Sequence, residues 1–134
     1  MSAIRCQGLT RRYGQLEAVS RLDLTVEEGE FFALLGPNGA GKTTTLHMLT
    51  TVLAPTEGSA EVAGHDVQRE PRAVRAAIGM VFQEPALDTR LSARENLDVH
   101  AALYDVPRRD VRRTVTDALD WAELASHADR LVRT

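Results

Sequence analysis

Residues 36–44 are Gly36-Pro37-Asn38-Gly39-Ala40-Gly41-Lys42-Thr43-Thr44, which satisfies the pattern G-x-x-x-x-G-K-S/T. An apolar run at 31–35 precedes them, and a helical pattern begins near Lys42. Glycines let the backbone turn tightly and bring successive N–H groups against phosphate oxygens, and a helix N-terminus adds its dipole. A strand, this loop and a helix in that order predict a phosphate-binding loop rather than a chance glycine-rich turn.

Two side chains of the loop suit a nucleoside triphosphate and its metal ion. Lys42 is the only lysine among the 16 basic residues of the chain. Its compact ammonium group can reach the β- and γ-phosphates. The Thr43 hydroxyl can serve as a Mg²⁺ ligand. The loop therefore predicts binding of a nucleotide together with Mg²⁺.

Length and composition limit the number of domains and the classes of binding partner. The 134 residues are enough for one domain, and 43% hydrophobic with 26% charged residues is an ordinary globular composition. A net charge of -3 offers no basic excess for nucleic acid or for a polybasic membrane anchor. Cys6 is the only cysteine, and no signal peptide or apolar run of membrane-spanning length is present. We expect a cytoplasmic chain that reaches a membrane only through a partner.

Hydrophobic periodicity predicts an α/β order of elements. Strands are expected at 3–9, 22–26, 31–35, 59–62 and 78–82, and helices at 42–53, at 71–77, from Ser92 and from Pro107. The run at 31–35 is apolar at every position, so it should be buried on both faces in a parallel sheet. A turn is expected at 11–14. Strands and mixed elements before residue 91 and helices after it suggest two subdomains.

Three features in order carry a family resemblance: Tyr13, the loop at 36–44, and Gln83 at the end of a predicted strand. The sequence resembles the N-terminal portion of an ATP-binding cassette (ABC) nucleotide-binding domain over essentially its whole length. Two stretches are most similar to ATPases of bacterial multidrug exporters, including the daunorubicin-resistance type. They are the residues of the loop and Val-Phe-Gln-Glu-Pro-Ala-Leu-Asp from Val81.

The resemblance implies a fold class and a domain organisation. It implies an α/β P-loop NTPase core with an N-terminal antiparallel β portion, followed by the start of a helical subdomain. The incomplete core would occupy residues 1–91 and the incomplete helical subdomain residues 92–134. The domain would be truncated before the family's signature motif.

The resemblance also implies roles for individual residues. Tyr13 would stack on adenine; the alternative is a turn aromatic that covers a sheet edge. Gln83 would approach the Mg²⁺ ion and the attacking water; the alternative is a solvated polar residue that ends a strand. Lys42 and Gln83 are then the catalytic residues, and Thr43 and Gln83 the metal-binding ones. The ATP phosphates would be held by Gly36, Pro37, Asn38, Gly39, Ala40, Gly41, Lys42, Thr43 and Thr44, with Thr44 beside the α-phosphate.

The implied activity is ATP hydrolysis coupled to transmembrane export of a drug or similar small molecule. The implied partners are a transmembrane permease subunit and, in the complete protein, a second nucleotide-binding domain in a homodimer. Residues 84–94 are a possible surface for the permease. The chain would lie at the inner face of the cell membrane as a peripheral subunit. Its sequence does not identify the transported substrate.

The chain departs from the family pattern in its second half. No glycine follows Gly79, so the signature motif with Ser-Gly-Gly is missing. The only candidate for the family's acidic strand, 101–105, lies within a helical pattern and is rejected. We therefore expect negligible hydrolysis by this chain alone, and a non-catalytic nucleotide-binding or interaction fragment is the second hypothesis. Without a neighbouring strand, an apolar edge at 31–35 should be exposed and the protein prone to stick.

Other nucleotide-binding classes fit less well. Neither Asn38 nor Asn96 is followed by lysine, so the guanine-reading Asn-Lys-x-Asp of GTPases is missing. A small-molecule kinase shares the loop but would not account for Tyr13 and Gln83 at these places.

The histidines and two arginine pairs are expected to have structural rather than functional roles. The four histidines have no ligand spacing with a third donor, which favours surface or helix-packing positions over a metal site. Two arginine pairs, 108–109 and 112–113, are expected to form a solvated helix face. The acids at helical spacing from them are Asp105, Asp110 and Asp117.

Overall fold

The computed structural model of the chain describes residues 2–81 and 86–133. Gln83, to which the sequence assigns a site role, lies outside these residues. The chain forms two compact units, Met1–Met80 and Val81–Thr134. The predicted domains, 1–91 and 92–134, stay a prediction, because compactness in this chain does not define the domains of a larger fold.

The first unit is built on an antiparallel sheet with strand order β2-β1-β3-β4. The strands are β1, Ser2–Tyr13; β2, Leu16–Glu27; β3, Glu57–Val62; and β4, His65–Asp66. The strands predicted at 3–9, 22–26 and 59–62 are confirmed and are longer than predicted. In β2 the alternating Leu22, Leu24 and Val26 lie on the more buried face, as a period of two requires.

Strands β1 and β2 form one long hairpin whose turn contains only Gly14 and Gln15. The prediction of a turn at 11–14 was wrong for its first three residues. Arg12 lies opposite Glu17, and its Nε donates to the Glu17 carboxylate at 2.7 Å. Arg12 also forms an ion pair with Glu57 of β3. These cross-strand pairs favour continuation of the ladder, and Gly14 supplies the positive φ of 59° that a tight turn needs.

The core of the first unit joins the sheet to two helices, α1, Lys42–Leu49, and α2, Pro71–Ala77. Leu9, Met48 and Val74 are completely buried in it. Burial raises the pKa of the Cys6 thiol to about 11, with a smaller contribution from Asp23, so this cysteine stays protonated at neutral pH.

The predicted helix bounds are right for α2 and too long for α1. Helix α2 spans the predicted residues 71–77 and has its proline in the first turn. Helix α1 ends at Leu49 rather than near residue 53. Thr51 has a left-handed φ of 63°, and the Leu53 N–H donates to the His47 carbonyl at 3.0 Å, which closes the helix end.

The apolar run at 31–35 is not a strand. Phe31 is 98% exposed and Leu35 87% exposed, so the prediction of a strand buried on both faces was wrong, whereas the expected exposed apolar segment is confirmed. A parallel strand requires neighbours on its edges, and no strand in the described part of the chain pairs with this run. Residues 78–81 of the strand predicted at 78–82 are also irregular.

The described residues of the second unit form two α-helices, α3, Ala93–Leu103, and α4, Arg108–Trp121, and a short 3-10 helix at Ala125–His127. The predicted capping box is present: the Glu95 N–H donates to the Ser92 hydroxyl, and the Ser92 N–H donates to the Glu95 carboxylate. Val115 and Leu119, from the predicted apolar stripe, are buried in this unit's core. Ala101–Leu103 lies in α3, so the rejection of an acidic strand at 101–105 was right.

Asn96 links α3 to the segment before it. Its Nδ2 donates to the carbonyls of Asp88 at 3.0 Å and Ser92 at 2.9 Å, while its Oδ1 accepts from the Asp88 N–H at 2.9 Å. The side chain is only 6% exposed, so these bonds satisfy a polar group that would be costly to bury alone.

Replacement of Leu9 tests whether the first unit's core holds the fold. Leu9→Ala removes a completely buried side chain and should lower the free energy of unfolding by about 2–5 kcal/mol. Leu16→Ala, at a position 65% exposed, should change it by less than about 0.5 kcal/mol. Urea titration followed by circular dichroism measures both; equal losses would contradict this core assignment.

Candidate phosphate-binding site

The predicted phosphate loop runs directly into α1. Gly41 precedes the helix with φ 83° and ψ 6°, a left-handed conformation that favours glycine. A Cβ at Gly41 would lie 2.3 Å from the Ala18 carbonyl oxygen of β2. Both the backbone angle and the contact with the sheet therefore require glycine at this position.

Gly39 has a similar backbone but different surroundings. Its φ is 85°, yet a Cβ there would meet nothing within 4 Å. The space beside Gly39 is open, which is what a ligand approaching the backbone needs. The two glycines thus serve different purposes, close packing at Gly41 and access at Gly39.

The Lys42 side chain folds back over the loop. Its Nζ donates to the carbonyls of Gly36 and Pro37, both at 2.7 Å. The ammonium group is therefore held beside the loop backbone, and the bonds to neutral carbonyls leave its charge uncompensated. A phosphate anion would be attracted to this position.

Within the described part of the chain, the first turn of α1 contains both paired and unpaired backbone N–H groups. The Thr45 N–H donates to the Gly41 carbonyl at 2.8 Å, and its hydroxyl donates to the same carbonyl at 2.9 Å. Among the described residues, nothing accepts from the backbone N–H groups of residues 42–44. These donors and the Lys42 ammonium together form a site that fits the phosphates of a nucleotide.

The residues expected to face the metal ion are only partly described. Thr43 is exposed, and its hydroxyl has no hydrogen-bond partner among the residues that the structure describes, so it is available as an oxygen ligand for Mg²⁺. Gln83, the second expected ligand, is outside those residues. Within the described ranges no group of three or more His, Cys, Asp or Glu side chains could hold a metal ion.

Tyr13 lies at the end of β1, paired with Leu16 across the hairpin turn. The ring is 48% exposed, and the Arg11 guanidinium lies over it, 4.8 Å from its centroid. The same hairpin contacts the loop, because Ala18 packs on Gly41. Tyr13 and the loop therefore belong to one structural unit.

Sequence reasoning missed two residues that contact the predicted site residues, Arg11 beside Tyr13 and Ala18 beside Gly41. Arg11 is two residues before Tyr13, and the alternation of side chains along a strand could have revealed their shared face. Arg11 is anchored, since its Nη1 donates to the Ala54 carbonyl at 2.8 Å. The contribution of Ala18 is a backbone carbonyl, for which the sequence offers no signal.

Comparison with protein families identifies one model along most of the chain. The model described as "ABC transporter" matches residues 19–134. No helix in the part of the chain that the structure describes is long and apolar enough to cross a bilayer.

Three curated relatives illustrate the range of similar proteins. The daunorubicin resistance ATP-binding protein DrrA3 of Streptomyces coeruleorubidus is 42% identical over 98% of this chain and 42% of its own length. The Nod factor export ATP-binding protein I of Paraburkholderia xenovorans is 40% identical over 98% and 43%. A spermidine/putrescine import ATP-binding protein of Rubrobacter xylanophilus is 40% identical over 96% and 34%. The chain thus spans about two fifths of the length of the first relatives it matches.

A solved structure described as the ATP binding subunit of an ABC transporter shares the fold. It superimposes with a TM-score of 0.81 at 23% identity, over 96% of this chain and 54% of that chain. The predicted fold class, an α/β P-loop ATPase core with an antiparallel β portion and the start of a helical part, agrees with this likeness.

Alanine replacements at the two loop glycines should separate packing from access. Gly41→Ala combines a left-handed backbone with a Cβ 2.3 Å from a carbonyl oxygen, and it should lower the free energy of unfolding by more than about 2 kcal/mol. Gly39→Ala meets only the backbone strain, about 1 kcal/mol. Thermal and urea unfolding measure both, and equal effects would show that the contact with Ala18 is unimportant.

Proposed function

The chain belongs to the ABC transporter family, and we propose that it carries the ATP-binding half of an exporter ATPase. Binding and hydrolysis of ATP would drive export of a drug or similar small molecule through a transmembrane permease. The observation that carries the proposal is the loop at 36–44, where the Lys42 ammonium lies on two carbonyls and the first N–H groups of α1 have no acceptor among the described residues.

ATP would bind with its phosphates against this loop. Lys42 would exchange its bonds to the Gly36 and Pro37 carbonyls for the β- and γ-phosphate oxygens. The N–H groups of Lys42, Thr43 and Thr44 would donate to the same anion, with Thr44 beside the α-phosphate. Mg²⁺, held by the Thr43 hydroxyl and by Gln83, would supply charge neutralisation there.

The Tyr13 ring would stack on adenine. Arg11 already covers the ring at 4.8 Å and is fixed by its bond to the Ala54 carbonyl, so the aromatic is held in place before the base arrives. An aromatic face binds purines by stacking without hydrogen-bond selection, which suits an affinity role.

Hydrolysis would require parts that these residues do not supply. A general base, a second Mg²⁺ anchor and a signature motif would come from the remainder of a longer protein and from a second copy in a homodimer. The permease would hold the protein at the inner face of the cell membrane. By itself this chain would bind ATP and hydrolyse it negligibly.

A drug or similar small molecule is the favoured cargo, because the name of one relative refers to daunorubicin resistance and that of another to export. The import relative, at 40% identity, is the observation that keeps the opposite direction of transport as a second candidate. The non-catalytic nucleotide-binding or interaction fragment, the second hypothesis from the sequence, stays as a further candidate.

Calorimetric titration of the chain with MgATP tests the binding proposal. Lys42→Ala should weaken binding at least about tenfold, because a charge-assisted contact to phosphate is lost. Arg72→Ala, which removes an exposed charge on α2, should leave affinity unchanged. Tyr13→Ala should weaken binding about fivefold, whereas Tyr13→Phe should not. Undiminished affinity in Lys42→Ala would refute the site.

Export is tested with the protein as its native cell makes it, together with its permease. ATPase activity and retention of an anthracycline are measured in cells with and without Lys42→Ala. We expect the variant to lose hydrolysis and to accumulate the drug. Reduced uptake by the variant would indicate import, and binding without hydrolysis in the native protein would favour the non-catalytic fragment.

A further inference from the structure

The two arginine pairs of α4 do not form one uniform solvated face. Arg109 and Arg113 both approach Asp110, at 3.5 Å and 3.6 Å. Arg108 and Arg112, one helical turn apart, make no side-chain hydrogen bond or ion pair within the described part of the chain. Each pair therefore contains one arginine that shares the Asp110 carboxylate and one that makes no ion pair with a described residue.

Both unpaired arginines line a cavity of about 570 Å³ between α3 and α4. Arg94 and Asp98 of α3 face it from the opposite side. The full lining is Arg94, Asp98, Arg108, Val111, Arg112, Val115 and Thr116. The volume lies within the range of small-ligand pockets, about 300–1,000 Å³.

Arg94 has capacity left for a ligand. Its Nε donates to Asp129 at 2.9 Å, and its two terminal nitrogens make no hydrogen bond with any described residue. A guanidinium presents five donors, so one occupied edge leaves the others available. The bond to Asp129 also fixes the orientation of the fork before a ligand binds.

The charge balance selects an anion. Three arginines face a single carboxylate, Asp98, which makes no ion pair within the described residues. The Arg94 charge is already compensated by Asp129, so Arg108 and Arg112 against Asp98 leave one net positive charge at the lining, which favours an anion. Buried Val115 and half-buried Val111 line the same cavity, whereas Arg108 and Arg112 are exposed and can be reached by a ligand from solution.

The helix end adds to the same field. Arg108 is the first residue of α4, and the preceding Pro107 has no side chain that could cap the helix. The positive end of the helix dipole therefore lies next to Arg108, and the Asp110 carboxylate in the first turn partly compensates it. Arginine forks match both carboxylate and phosphate oxygens, and a phosphate group presents three terminal oxygens, enough for the forks of both Arg108 and Arg112.

We infer that this cavity is a second phosphate-binding site, separate in sequence and in structural unit from the loop at 36–44. Its ligand is the phosphate group of a small molecule, or the same group on a lipid headgroup. Arg108 and Arg112 bind the phosphate oxygens, and Arg94 closes the site from α3. The inference does not depend on ATP binding at the first site.

The test uses the full chain carrying Lys42→Ala, so that phosphate binding at the loop does not mask the second site. Pyrophosphate and inorganic phosphate are titrated while the arginine Nε–H signals are followed by NMR. Vesicles of phosphatidylglycerol and of phosphatidylcholine are tested by sedimentation. Two variants of equal charge are compared: Arg108→Ala with Arg112→Ala, and Arg109→Ala with Arg113→Ala.

We expect shifts at Arg94, Arg108 and Arg112, and binding weakened at least about tenfold by the first double variant but less than about twofold by the second. If binding of free phosphates depends on Arg108 and Arg112, the ligand is a soluble phosphate compound. If only binding to phosphatidylglycerol vesicles depends on them, the ligand is a lipid headgroup. Equal losses in both variants, or no binding in either arm, would overturn the inference. Circular dichroism verifies that both variants keep their helices.

Discussion

The close approach of Gly41 to Ala18 is the contact on which the first unit depends. A single Cβ at Gly41 would lie 2.3 Å from a carbonyl oxygen of β2, so the start of α1 can lie against the sheet only because this residue is glycine. The first N–H groups of this helix have no acceptor among the described residues. The predicted phosphate loop and the hairpin are therefore parts of one packing arrangement.

The apolar run at 31–35 shows what happens when local pattern and tertiary partners disagree. Its composition is that of a buried parallel strand, yet Phe31 is almost fully exposed. Antiparallel strands such as β1 and β2 find each other through a two-residue turn, whereas a parallel strand needs a partner brought back by a long crossover. The described residues supply the first kind of partner and not the second, so the loop's helix forms while its preceding strand does not.

The second unit illustrates how charge is sorted by packing. Arg109 and Arg113 share the carboxylate of Asp110, while Arg108 and Arg112 face the cavity opposite α3. Adjacent arginines in a helix point about 100° apart, so a pair cannot serve one surface. The charged face that the sequence predicts is in fact two faces: in one the arginines share a carboxylate of their own helix, and in the other they line a cavity.

The sequence by itself determined the features that depend on local spacing: the glycine before α1, the proline in the first turn of α2, the capping box at Ser92 and the apolar stripe of α4. Each of these features depends only on residues within a few positions of one another, so each can be predicted without knowledge of the fold. The tertiary structure alone decided the short hairpin turn after Tyr13, the early end of α1 and the exposure of 31–35. These outcomes depend on partners distant in the chain, because a strand persists only where another strand pairs with it and a backbone approaches only where a side chain is absent.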